Sequence, residues 1–206
     1  MTGKRGYHHG NLRQALVDAA LSLIETKGPE GFTLSEAAKT AGVTPAAVYR
    51  HFEGKDDLIA EAALQGYEIF ADLMEYAFDT GGPSALSRFE ATGRAYLAFA
   101  RKHPGHYQAM FESGVNVNRT SALADAAARS RSVVEKAAER LSDAIPEAKR
   151  PPPSMVSAHI WAMSHGVVEL YARGNAGTRG PFEPEELLEA GVGIYLRGLG
   201  LIPPDR

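Results

Sequence analysis

The chain has 206 residues, 44% of them hydrophobic and 23% charged, which makes it globular and large enough for one large or two small domains. It contains no cysteine, which excludes a disulfide framework, a cysteine-ligated zinc and a cysteine nucleophile. The net charge is −3, yet residues 1–55 hold seven Lys/Arg against five Asp/Glu, with three histidines besides, so the basic end is the one suited to a polyanion.

No apolar run approaches the roughly 20 residues that span a bilayer. The basic N-terminus has no apolar stretch after it, so no signal peptide is expected and a cytoplasmic protein is. Met1 to Gly10 reads as a basic arm whose Lys4 and Arg5 reach phosphates or a minor groove, or as a solvated tail. His8 and His9 are adjacent and point apart, which suits the start of a helix better than a metal site.

Asn11 opens the first predicted helix, with Gln14 as its capping partner. Leu12, Ala15, Leu16, Ala19, Ala20, Leu23 and Ile24 form its apolar face, and Gly28-Pro29 ends it. Phe32 adds to that core. Thr33 and Glu36 have capping-box spacing at the start of a second helix. Leu34, Ala37, Ala38 and Ala41 give it an apolar stripe, and Gly42 stops it where positive φ is wanted. Thr44 is expected to cap a third helix, with Pro45 at its first position. Val48 and Phe52 face inward. Ala46, Ala47, Tyr49, Arg50 and His51 face outward, a set suited to DNA phosphates and base edges.

A long helix is predicted from about Asp56 to about Asp79, with acids in its first turn, where they favour its dipole. Lys55, just before it, reads either as a phosphate contact or as an ordinary solvent lysine. Gly81-Gly82-Pro83 ends the helix, and the domain boundary is expected within it, giving domains 10–70 and 71–206. Further helices follow over Leu86 to Ala100, His106 to Phe111, Leu123 to Ile145, Ser154 to Arg173 and Glu183 to Gly200. His103-Pro104-Gly105, Ser113 to Arg119, Pro146 to Pro153 and Gly174 to Pro181 separate them. Asn118-Arg119-Thr120 matches a glycosylation sequon by chance. No strand-like alternation or internal repeat stands out, so the fold class expected is all-α.

The pattern resembles the TetR family of transcriptional regulators. The resemblance is carried by Y-H-H-G-N-L-R from Tyr7, by G-F-T, by A-G-V-T-P-A-A-V-Y-R-H-F and by the K-D-D-L that follows. Trp161 with His165-Gly166 resembles the W-x-x-x-H-G signature of a C-terminal class called WHG. The resemblance implies about nine helices, an N-terminal helix-turn-helix bundle, and a C-terminal domain for effector binding and dimerisation. It implies a homodimer on a pseudo-palindromic double-stranded DNA operator, most simply a repressor released by a small effector.

By matched position, Thr33, Thr44, Tyr49, His51 and Lys55 would meet phosphates. Ala46 and Ala47 would face DNA, one or the other touching a thymine methyl, Pro45 would stiffen the helix start, and Arg50 would read guanine. The expected effector pocket takes Tyr96, Phe99, Tyr107, Met110, Phe111, Trp161 and His165, and prefers a largely apolar or aromatic ligand. Gly191, Gly193, Gly198 and Gly200 leave one side of the last helix narrow, which suits a dimer interface. No cofactor or metal is expected. An enzyme is disfavoured: there is no Gly-x-Ser-x-Gly, P-loop, dinucleotide fingerprint or His-Glu-x-x-His, and Ser164 and His165 are neighbours that cannot face each other. The alternative is a helical protein-binding adaptor without specific DNA binding.

Overall fold

A computed structural model describes residues 12–143, 145–172 and 181–203. The expected arm with Lys4, Arg5, His8 and His9, the Asn11 cap and most of the 174–181 loop lie outside them. Among the described residues the chain is all-helical. The helices are α1 (Leu12–Lys27), α2 (Leu34–Thr40), α3 (Pro45–Val48), α4 (Lys55–Thr80), α5 (Ala85–Lys102), α6 (Pro104–Phe111), α7 (Ser121–Ser142), α8 (Pro153–Val167) and α9 (Pro184–Gly198), with a π-helical turn over Val168–Ala172 after α8.

The chain forms two compact units. One comprises residues up to Gly66 together with Pro104–Ala124; the other comprises Tyr67–His103 and Asp125 onward. A division near residue 70 was expected, and the chain divides after Gly66 inside α4. The return of α6 to the first unit was not expected. Its cause is local. Pro104 starts α6 directly after His103, because a proline at the first helical position forfeits no hydrogen bond. Gly105 then sits so close to α1 that a Cβ there would stand 2.8 Å from the Leu21 carbonyl oxygen.

The core of the first unit is built from Leu16, Val17, Ala20 and Ile24 of α1, Phe32, Ala37 and Ala38 around α2, and Val48, Phe52, Leu58 and Tyr107, all buried. At the start of α2 the capping box is complete. The Thr33 hydroxyl accepts from the Glu36 N–H at 3.2 Å, and the Glu36 carboxylate accepts from the Thr33 N–H at 2.9 Å. At its end Gly42 takes φ +74°. The Gly42 N–H donates to the Lys39 carbonyl at 3.1 Å and the Val43 N–H to that of Ala38 at 2.9 Å, so two terminal carbonyls are satisfied by a Schellman turn.

In the second unit an aromatic cluster fills the space among α4, α5 and α8. The Phe70 ring stands edge-on to Tyr96 at 5.2 Å and to Trp161 at 5.8 Å, and lies 4.9 Å from Phe99. Outside the core, Arg129 of α7 holds both Asp72 and Glu75 of α4, and these two carboxylates keep its guanidinium protonated beyond its ordinary range. The last helix stops at Gly198 and not at Gly200. Gly200 takes φ +71°, and the N–H groups of Gly200 and Leu201 bond back to Arg197 and Leu196. Gly200 is therefore a helix terminator and does not belong to a narrow helix side.

Candidate DNA-binding surface and ligand cavity

The turn that carries the outward-facing set is shorter than a helix from Thr44 to Phe52. Regular α-helix covers Pro45–Val48 alone. Beyond it the chain tightens: the His51 N–H bonds the Val48 carbonyl at 2.9 Å, three residues back, while the Phe52 N–H shares that carbonyl at 3.0 Å. Val48 and Phe52 anchor the segment in the core. The Thr44 side chain makes no capping hydrogen bond, contrary to expectation. Pro45 at the first helical position has no N–H to cap, and the Thr44 carbonyl takes the Ala47 N–H instead.

Thr44, Pro45 and Ala46 are exposed, and Ala47 and His51 are half-buried. Tyr49 is 63% exposed and Arg50 is exposed beside it. Neither the Tyr49 hydroxyl nor the Arg50 guanidinium has a hydrogen-bond or ion-pair partner among the described residues. Two other expected contacts are engaged. The Thr33 hydroxyl accepts from the Glu36 backbone and lies 3.1 Å from its carboxylate. The Lys55 ammonium donates to the Glu30 and Phe32 carbonyls at 3.3 and 3.4 Å, pairs with the Glu30 carboxylate at 3.6 Å, and stands 5.2 Å over the Phe32 ring. A lysine at the first position of α4, disfavoured by the helix dipole, is explained by these partners.

Sequence reasoning missed Arg13. Its guanidinium bonds the His51 carbonyl from α1 and pairs with Glu61 of α4, so three segments meet at one side chain. The signal was its place in the first turn of the helix that carries the unit's core; its partners are 38 and 48 residues away.

The second unit contains a cavity of about 210 Å³ whose walls come from α4, α5, α7, α8 and α9. Of the seven residues expected to line a pocket, Tyr96 and Trp161 do so. His165 stands behind them, with Nδ1 2.9 Å from the Tyr96 hydroxyl oxygen. Phe99 is fully buried against Phe70 and does not reach the cavity. Tyr107, Met110 and Phe111 lie on α6 in the first unit, where Tyr107 and Phe111 pack ring to ring at 4.9 Å. Phe89, Leu97, Ile160 and Leu188 make apolar wall instead, and the charged residues Glu90, Arg94, Glu185 and Glu189 join it. The charged residues had no sequence signal, and aromatic content marks core and pocket alike.

Comparison with known proteins gives matches at both ends of the chain. Residues 16–62 match the family model described as bacterial regulatory proteins, tetR family. Residues 89–195 match that described as tetracyclin repressor-like, C-terminal domain. An uncharacterized HTH-type transcriptional regulator of Bacillus subtilis, YobS, is 29% identical over 117 residues, 56% of this chain and 59% of its own length. The regulator AcrR of Shigella flexneri is 47% identical over 49 residues, 24% of this chain and 23% of its own. The matches to these curated relatives thus span under two thirds of their length. A solved protein of unknown function from Rhodococcus sp. RHA1 superposes with a TM-score of 0.78 at 27% identity, covering 95% of this chain and 98% of that one. AibR, solved with isovaleryl coenzyme A and operator DNA, superposes with a TM-score of 0.68 at 18% identity, covering 89% and 97%, and is alike in fold.

Proposed function

We propose a function for a chain that belongs to the TetR family of bacterial regulatory proteins. It is a helix-turn-helix transcriptional regulator. Within that class we read it as a cytoplasmic homodimeric repressor on a pseudo-palindromic operator, released by a small, largely apolar effector. The observation that carries the DNA-binding assignment is the exposed pair Tyr49 and Arg50, without partners among the described residues, on a segment anchored by Val48 and Phe52. Exposed polar groups that no described residue engages are available to phosphates and base edges.

In this reading Arg50 reads guanine, and Thr44, Tyr49 and His51 meet phosphates. Pro45, Ala46 and Ala47 lie against the groove. Thr33 and Lys55 reach phosphates only by exchanging or sharing their present partners, so their part is mainly to hold the α2 start and the 30–32 loop in place. The likeness to the WHG class is supported by Trp161 lining the cavity and by His165 beside Tyr96. No helix among the described residues is long and apolar enough to cross a membrane.

One copy presents a small reading surface. Two copies spaced to meet successive major grooves, about 34–36 Å apart, would double it. Met155, Leu170 and Ile194, exposed on and just after α8 and on α9, support pairing through these helices. Effector in the cavity would then favour a spacing that misses the grooves, a shift of population between two arrangements.

The test is selection of bound duplexes from a random DNA pool, followed by titration of the selected sequence at several salt concentrations. The expected result is a two-fold symmetric consensus whose affinity falls steeply with salt. Absence of any salt-dependent DNA affinity would favour the protein-binding adaptor.

A further inference from the structure

We propose that the cavity of the second unit takes an amphipathic organic cation, an amine or quaternary ammonium carrying an aromatic or branched apolar group, with Glu90 as its counter-charge. This rests on the reading of that cavity as the effector site and names the ligand class.

The polar groups of the cavity wall are nearly all engaged within the protein. The Thr92 hydroxyl donates to the Phe89 carbonyl at 2.6 Å and the Ser164 hydroxyl to the Ile160 carbonyl at 2.9 Å. The Tyr96 hydroxyl is held by His165. Among the charges, Arg94 is paired with Glu189 at 3.2 Å and Glu185 with Arg101 at 3.0 Å. Arg197 folds its guanidinium back against Gly193 and has contacts within the protein, though its buried Nε–H finds no acceptor among the described residues. Glu90 has no hydrogen-bond or ion-pair partner among the described residues.

The reason lies in α5. Glu90 and Arg94 are four residues apart, a spacing that ordinarily forms an ion pair along a helix. Arg94 is drawn across to Glu189 of α9 instead, which leaves the Glu90 carboxylate half-buried on the cavity wall. Much of the rest of the wall is apolar or aromatic, including Phe89, Tyr96, Trp161 and Leu188. An unpaired carboxylate on such a wall selects a positive head on an apolar body, and aromatic rings add attraction for a cation. An anion would meet the Glu90 carboxylate, and Arg94, the arginine one turn away, is already paired with Glu189.

The test uses three probes of one shape: benzyltrimethylammonium, its neutral carbon isostere neopentylbenzene, and benzylsulfonate. Trp161 is the single tryptophan of the chain and lines the cavity, so its fluorescence reports binding directly. The expected result is that the full-length protein binds the ammonium at least ten-fold more tightly than either other probe. Glu90→Gln should remove most of that preference while leaving the affinity for neopentylbenzene unchanged, which also reports an intact fold. Unchanged ammonium binding by Glu90→Gln, or tighter binding of the neutral or anionic probe, would overturn the cation class and leave the effector site standing. No response to any of the three would remove both.

Discussion

Arg13 lays its guanidinium over the ring of Phe52, 4.7 Å from the centroid, while donating to the carbonyl of the preceding residue, His51, at 3.1 Å. A side chain of α1 thus fixes the C-terminal end of the turn that presents Tyr49 and Arg50. The third arm of the clasp, to Glu61 at 2.5 Å, ties the same group to α4. Arg13→Ala should cost about 1 kcal/mol of stability, the sum of a partly exposed cation–π contact and ion pair. It should lower operator affinity further than that stability loss explains, because the reading turn loses its support. Urea unfolding beside operator titration separates the two effects. Arg13→Lys, which keeps the charge without the fork, should recover stability better than affinity.

Arg50 is read as the base-contacting residue. Arg50→Ala should weaken binding to the selected operator by about 1–3 kcal/mol and relax discrimination at one position of each half-site. Tyr49→Phe should weaken binding on all sequences alike, as a lost phosphate contact does. Competition between the operator and single-base variants is the measurement. Full affinity and full discrimination in Arg50→Ala would move base reading to other residues.

Acid should loosen the start of α2. The Glu36 carboxyl is held at about 2, below its ordinary 4.5, first by the hydrogen bond from Lys27 and then by those from the Thr33 backbone and hydroxyl. A carboxyl whose folded value is depressed stabilises the fold fully above its unfolded value, and that contribution is lost as pH falls from about 4.5 toward 2. The stability difference between the parent and Glu36→Gln should therefore be largest near neutrality and shrink on acidification. Urea midpoints at pH 6, 4 and 2.5 follow it; a gap independent of pH would assign the Glu36 effect to packing alone.

Gly105 is where α6 approaches α1. Its Cβ-bearing replacement meets the Leu21 carbonyl oxygen at 2.8 Å, and a backbone oxygen in the middle of a helix cannot move aside. Gly105→Ala should destabilise the protein by about 1–3 kcal/mol, the usual cost of overpacking. Gly66→Ala is the control. Its Cβ would meet the Met110 sulfur at 2.7 Å, the end of a flexible side chain, and the loss should be smaller.

Ile194 is 71% exposed on α9. If this face pairs with a second copy, Ile194→Lys should shift sedimentation toward the monomer and reduce operator affinity steeply, with the unfolding midpoint of the remaining monomer little changed. A monomeric parent protein at micromolar concentration would refute the dimer outright.

The sequence carried the local structure well wherever the cause was itself local. The Thr33–Glu36 box, the Gly42 stop and the proline start of α3 need only three or four neighbouring residues to be recognised, and each is present. It carried long-range partnership poorly. Lys55 looked like a phosphate ligand or a solvent lysine because its real partners, two carbonyls about 25 residues away, have no side-chain signature. Tyr107 and Trp161 are equally aromatic, yet one is fully buried in the first unit and the other lines the cavity of the second. Nothing in hydrophobic spacing separates a wall from a core, because both need an apolar face. The charged residues of the cavity wall were illegible for the complementary reason: along α5 and α9 they have the spacing of an ordinary solvated helix face.

The return of Pro104–Ala124 to the first unit sets how this protein is made and how it can be cut. α1 is made well before the helix that seats on it through Gly105, which follows after four others. The DNA-binding half is therefore unfinished until more than half of the chain has been synthesised, and closing it requires a long loop whose entropy is spent before the contact forms. The same feature denies the protein a clean modular joint. A fragment ending in α4 would expose the α1 surface that α6 covers, and a chimera joined within α4 would pair one relative's α1 with another's α6. Domain exchange with relatives should succeed only when residues 104–124 travel with the N-terminal segment.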